Sequence, residues 1–220
     1  TDTGVRLKGV YGSFRPLDEK SAFLLDFEKY EDGQELLGME KIALNNMVQD
    51  HSLLHEHLGY QLFRAGDVPA SRVTYAWVKV NGADFGLYAL VEVVDNRHFL
   101  KSWMGDSKGN LYEGEYGVDL FPYAAEEFDQ DSGSDQSGAD LEALIDALDA
   151  MEESPPETWM EGLSALIDME RFLSFAATEL YLGHWDGYSW SRNNYFIYRP
   201  AAGGKWTFIP WGIDQTFQDH

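Results

Sequence analysis

Cysteine is absent from the 220 residues, which removes disulfides, thiolate zinc sites and cysteine nucleophiles at once and leaves the redox compartment open. No apolar run approaches the roughly 18 residues that cross a bilayer, and no charged-then-apolar segment leads the sequence. Positive charge is scarce. Sixteen Lys and Arg stand against 38 Asp and Glu, a net charge of −22, and nucleic acid and anionic membranes both need positive patches that this balance withholds. The shortage is local: residues 109–170 hold eighteen acids and no Lys or Arg, so the remainder carries twenty acids against sixteen bases. Such a belt reads either as a solvated surface or as a docking face for Lys/Arg-rich polypeptide.

What is present is the material of a core. Apolar residues make up 44% of the chain and aromatics 15%, too many for a disordered protein and enough for one generous domain or two small lobes. Short apolar runs at 5–10, 22–27 and 39–44, bounded by Gly, Pro, Asp and Asn, predict strands. Asp50 is a candidate N-cap for a helix with Leu53, Leu54, Leu58 and Leu62 on one side, ended by Gly66 and Pro69. Asn81-Gly82 between apolar runs at 73–80 and 85–94 predicts a hairpin. The polar stretch 128–138 reads as a loop. Leu141, Leu144, Ile145, Leu148 and Met151 form a helical stripe stopped by Pro155 and Pro156, and Asp168 caps a more apolar, buried helix that Gly183 ends. The fold class expected is α+β, with a sheet-plus-helix lobe at 1–94 and a mainly helical lobe at 95–220 that carries a late β-hairpin.

That hairpin carries the chemistry. Residues 194–198 and 206–210 read as its strands, joined by a turn at 200–204, so the residues before the first strand and after the second become neighbours. Asp186, Asn193, Asn194 and Asp214 therefore converge. An acid after a buried helix, then an amide, two strands and a second acid is the order in which protein kinases present a base, a metal-binding Asn and a metal-binding Asp.

The letters extend the topology. Arg6-Leu7-Lys8-Gly9 with Ser13, Asp50-x-Ser52-Leu53-Leu54-His55-Glu56, Val80-Asn81-Gly82 with Gly86-Leu87-Tyr88 and Glu92, Gly109-Asn110-Leu111-Tyr112, Trp185-Asp186-Gly187-Tyr188 with Asn193-Asn194-Tyr195, and Pro210-Trp211 with Asp214-x-Thr216-Phe217 together resemble the spore-coat CotH family of atypical protein kinases. The blocks run in the family's order over nearly the whole chain. The resemblance implies a two-lobed protein-kinase-like fold, ATP with Mg²⁺ or Mn²⁺, phosphoryl transfer to Ser or Thr of coat, surface or secreted proteins, an extracellular, cell-surface or spore-coat location, and further helices after residue 220. The sequence departs from the family at one place: Pro210-Trp211-Gly212-Ile213-Asp214 has glycine where the family has the first of two closely spaced acids.

On this reading Asp186 is the catalytic base. Asp214 with Asn193 or Asn194 supplies hard oxygen donors for the metal. Lys41 on the strand before the helix of Glu56 supplies the phosphate-holding Lys–Glu pair, with Lys8 and Lys20 flanking a small Gly-containing loop as further cations. Glu92 begins the connection where adenine is read. The helical pair His51 and His55, with His57 nearby, lacks a further ligand for zinc, so these side chains are expected to face solvent. Asp129, Asp131, Asp135 and Asp140 do not have the spacing of a Ca²⁺ loop. Two rival readings stand beside the kinase. One is a pseudokinase scaffold that binds basic partners through its acidic surface; the other is a two-carboxylate hydrolase acting on a sugar, against which the amide pair between the acids argues.

Overall fold

A computed structural model describes residues 2–217. The first sheet holds β1 (Gly4–Lys8), β2 (Ala22–Asp26), β3 (Lys41–Asn45), β4 (Val73–Val80) and β5 (Ala83–Glu92), in the antiparallel order β1-β2-β3-β5-β4. Asn81 and Gly82, both at positive φ, make the tight β4–β5 turn that the sequence signals. Between β3 and β4 lies α1 (His55–Ala65). The Asp50 carboxylate accepts the backbone N–H of Ser52 and of His55, each at 2.8 Å, so it anchors the helix start although the first helical residue is five positions later.

After β5 come α2 (Arg97–Met104), β6 (Asn110–Gly114), β7 (Phe128–Ser132), α3 (Ala139–Met151), α4 (Pro156–Leu166), α5 (Met169–Leu182), the single turn α6 (Tyr188–Ser191), β8 (Tyr195–Arg199) and β9 (Thr207–Pro210). The late hairpin is present, but it belongs to a second antiparallel sheet of order β7-β6-β8-β9. The protein is thus mixed α+β, with two antiparallel sheets and six α-helices among the described residues. The stretch at 128–138 expected as a loop opens with β7: an edge strand keeps only one residue, Phe128, inside, so its sequence is polar.

One apolar core joins both sheets. Ala43, Ala89 and Val91 of the first sheet, Tyr60 and Phe63 of α1, Phe175 and Leu182 of α5, Ile197 and Phe208 of the second sheet, and Ile213 form one cluster. Burial of each large side chain is worth about 1.5–3 kcal/mol. The two central helices turn different faces inward than their leucines suggest. Glu56, Gly59, Tyr60 and Phe63 are the buried face of α1, while Leu54, Leu58 and Leu62 are exposed. Gly59 permits the contact, because a Cβ there would lie 2.7 Å from Cδ1 of Ile213. On α5 the buried residues are Phe175, Glu179 and Leu182, whereas Leu173, Leu180 and Tyr181 are 58, 64 and 80% exposed. The fully buried helix expected at this position is instead a surface helix with one inward stripe.

Candidate active site

The Asp186 loop is built from its flanks. Asp168 caps α5 by accepting the Arg171 N–H at 3.3 Å, and Gly183 ends the helix in the left-handed conformation, φ +60°. Three residues later Asp186 accepts hydrogen bonds from both amides expected near it: Asn193 Nδ2 donates to Oδ1 at 3.1 Å, and Asn194 Nδ2 to Oδ2 and to the backbone oxygen, each at 3.0 Å. In the protein-kinase loop the Asn follows the base by five residues; here α6 lengthens the loop, and the amides sit seven and eight positions on.

Gly212 is more than a missing acid. It has φ +51°, and a Cβ on it would lie 2.5 Å from Asn194 Oδ1. The side chain of Asn194 takes the space that any larger residue at 212 would need.

Asp214 shares an electrostatic neighbourhood with Asp186, Glu56 and Lys8. Its pKa is raised, first by burial, with Asp186 adding and Lys8 opposing. The Lys8 ammonium donates to Asn45 Oδ1 at 2.6 Å and lies 5.4 Å from the centre of the Trp211 ring. Asn45 Nδ2 in turn donates to Glu56 Oε1 at 2.5 Å. A lysine and a glutamate are therefore linked through an intervening amide, across β1, β3 and α1. Glu56 is 4% exposed, its Oε2 has no hydrogen-bond partner among the described residues, and burial, reinforced by Asp214, pushes its pKa up to about 7. Burial lowers the Lys8 pKa, against the pull of Glu56 and Asp214.

Lys8, Glu56, Asp186, Asn193, Asn194 and Asp214 are thus brought together, and three other candidates are not. The Lys41–Glu56 pair does not form: Lys41 is on the first residue of β3 and its ammonium bonds Asp95. Lys20 lies over the Tyr88 ring at 5.1 Å. Glu92 is held by Arg72 through two bonds of 2.8 and 2.6 Å and lines a separate cavity of about 400 Å³ with Arg64, His98 and Trp103. A strand-to-helix Lys–Glu spacing fixes only which residues are near in sequence, and the edge strand β1 supplies the cation instead.

Two histidines join the site. His55 does not face solvent: its Nδ1 lies 2.7 Å from the backbone oxygen of Asp214, and Asp50 Oδ1 is 3.4 Å from Nε2. His184, 3% exposed, bonds through Nδ1 to the Gln215 carbonyl at 3.2 Å, and burial depresses its pKa to about 4, so it is neutral at pH 7. Its position two residues before Asp186 was the available signal, and Asn45 had none. Among the described residues no group of three His, Asp or Glu is placed to hold a metal ion, so a metal here would need the amide oxygens as well as the carboxylates.

A loop acid between two amides, a second acid beyond a hairpin and a lysine joined to a glutamate through an asparagine amide are the parts of a polar, oxygen-rich site in an α+β frame. The chain belongs to the CotH kinase protein family, whose model matches residues 5–220. It is 24% identical over 194 residues to inner spore coat protein H of Bacillus subtilis (strain 168), covering 82% of this chain and 51% of that one. It is 26% identical over 187 residues to Invasin CotH3 of Rhizopus delemar, covering 79% of this chain and 31% of that one. The chain thus spans about half of one curated relative and a third of the other.

Proposed function

We propose that the protein is an ATP- and divalent-metal-dependent protein kinase that transfers the γ-phosphoryl group to Ser or Thr of coat, surface or secreted proteins, some of them Lys/Arg-rich. The observation that carries the reading is the convergence of Asp186, the Asn193–Asn194 pair and Asp214 with Lys8 and Glu56. Family membership and the names of the two relatives, a spore coat protein and an invasin, support the coat or surface setting.

The donor set fits Mg²⁺ or Mn²⁺: the Asp214 carboxylate, the side-chain oxygens of Asn193 and Asn194, and the open Oε2 of Glu56 are hard oxygens. Such an ion supplies charge neutralisation across the phosphates. Asp186, oriented by the two amides, takes the proton of the acceptor hydroxyl as the new bond from oxygen to phosphorus forms and the bond to the β-phosphate oxygen breaks, releasing ADP. Lys8 faces the phosphate oxygens, and the Asn45–Glu56 chain holds its ammonium in place. The acidic belt of residues 109–170 attracts basic substrate segments from solution.

The test is a pair of variants. Asp186→Asn abolishes incorporation of labelled phosphate while sparing the thermal shift given by ATP with Mn²⁺, whereas Asp214→Asn loses both. Wild-type protein that shows neither property is a scaffold rather than an enzyme. Raising salt from low to physiological weakens capture of a basic peptide and leaves ATP affinity nearly unchanged; equal salt sensitivity for a neutral peptide reduces the belt to a solubility device.

A further inference from the structure

Glu179 is an anomaly of α5. It is 1% exposed on a helix otherwise buried through Phe175 and Leu182, and a carboxyl group taken from water among apolar side chains needs strong partners. Its partners all lie in the loop that carries Asp186. The Glu179 backbone oxygen accepts the His184 N–H at 3.0 Å. Its Oε1 accepts the Tyr188 N–H at 3.1 Å and its Oε2 the Ser189 N–H at 2.7 Å. The chain between the two attachments is packed against the same group: a Cβ on Gly187 would lie 2.5 Å from Glu179 Oε1 and 2.5 Å from Cδ2 of His184. Gly187 has φ −90° and ψ −177°, a conformation open to any residue, so its lack of a side chain matters for the close approach and not for the backbone.

We infer that Glu179 is the positioning residue of the Asp186 loop, holding both its ends so that the Asp186 carboxylate is presented at a fixed distance from the acceptor hydroxyl. This rests on the reading of Asp186 as the base. Other bonds also tie the loop, the His184 ring to the Gln215 oxygen, the Tyr188 hydroxyl to Asp119 and the Gly187 N–H to the His184 oxygen, but none of them takes the backbone N–H of Tyr188 or Ser189. Ser191 Oγ donates to the Trp185 oxygen at 2.7 Å and Asn194 Nδ2 to the Asp186 oxygen at 3.0 Å, so those bonds fix the loop's carbonyls, whereas the N–H groups at the start of α6 depend on the one carboxylate. A shift of about 1 Å in a reacting group is enough to lower a rate about a hundredfold.

The test measures the clamp and the chemistry separately. In Glu179→Gln one carboxylate oxygen becomes an NH₂ group that opposes a backbone N–H. Hydrogen exchange followed residue by residue should show protection at Tyr188 or Ser189 falling about tenfold or more, with protection in the core strands unchanged. Phosphoryl transfer should show kcat falling about ten- to a hundredfold while KM for ATP and the ATP–Mn²⁺ thermal shift stay at the wild-type value. Gly187→Ala keeps the acid and displaces it, so it should reproduce both effects, and it serves where the glutamine variant fails to fold. Lost protection with unchanged kcat makes Glu179 a purely structural residue and overturns the inference, as does unchanged protection in both variants. Should wild-type protein transfer no phosphate, the kinase reading fails and the inference fails with it, while intact exchange protection still shows that the clamp exists; the two failures are told apart by the exchange arm.

Discussion

Replacing Gly212 with alanine puts a methyl carbon where the Asn194 amide lies, and the cost can be assembled term by term. Gly212 has φ +51°, and an L-residue held in that conformation costs roughly 1–2 kcal/mol. The new Cβ would lie 2.5 Å from Asn194 Oδ1 and 2.8 Å from its Cγ, well inside contact distance, so Asn194 must move. It is tethered by bonds of 3.0 Å to Asp186 Oδ2 and to the Asp186 backbone oxygen, and losing hydrogen bonds to a charged group costs about 1.5–3 kcal/mol. The sum is about 2.5–5 kcal/mol, which for a chain of this size corresponds to a fall in Tm of roughly 5–20 °C. Urea unfolding of a double-mutant cycle with Asn194→Ala isolates the steric part. In the Asn194→Ala background the obstacle is gone, and Gly212→Ala should cost only the backbone strain of about 1–2 kcal/mol. Equal costs in both backgrounds would show that Asn194 does not fill this space, and the account of the glycine would be wrong.

Three further expectations test other parts of the structure. Burial lifts Glu56 and Glu179 to about 7 in the folded protein against about 4.3 in an unfolded chain; their contribution is complete below the unfolded value and is lost as pH rises through 7, on the order of 3 kcal/mol for each. Carboxylates with lowered pKa, such as Asp50 and Glu28, lose their contribution only at more acidic pH, so Tm at constant ionic strength should peak near pH 5 and fall toward pH 8, and a profile rising across that interval contradicts the burial argument. Lys8→Met should remove the ATP–Mn²⁺ thermal shift and Lys41→Met should keep it; the opposite pair of results moves the phosphate site to β3. Phe175→Ala should cost about 3–5 kcal/mol and Leu180→Ser less than about 0.5 kcal/mol, and similar values from denaturant unfolding would mean that α5 presents a different face to the core.

Where the sequence speaks through local chemistry it is legible. The Asn81-Gly82 turn, the Asp168 cap and the Gly183 stop each depend on one or two residues whose backbone preference survives any tertiary setting. The convergence of Asp186, the amides and Asp214 was readable for the same reason, because a hairpin dictates which residues become neighbours. Elements whose identity depends on a partner were not. The polar β7 is a strand only because β6 pairs with it, and Pro155-Pro156, read as a stop for α3, also starts α4, with Pro156 at its first position. The leucines of α1 point outward because Gly59, Tyr60 and Phe63 meet α5 and Ile213, a preference set by the neighbours' shape. Sequence proximity favours Lys41 of β3 as the lysine beside Glu56, whereas Lys8 reaches it from β1 through Asn45.

The order of the second sheet governs when this site can come into being. β8 is paired with β6 across the sequence from 110–114 to 195–199, and α3, α4 and α5 are strung between those two neighbouring strands. Closing so long a loop costs chain entropy before any pairing repays it, so the hairpin that joins Asp186 to Asp214 should pair with β6 late, after the three helices have condensed. The first sheet combines hairpin contacts with one nonlocal pairing, β3 with β5, which closes a shorter loop than β6 with β8 and so has less to wait for. During folding the protein should therefore pass through a period in which Lys8, Asn45 and Glu56 are already in place while the acids opposite them are still being delivered, and pulse-labelled exchange should find the amides of β3 and β5 protected before those of β8.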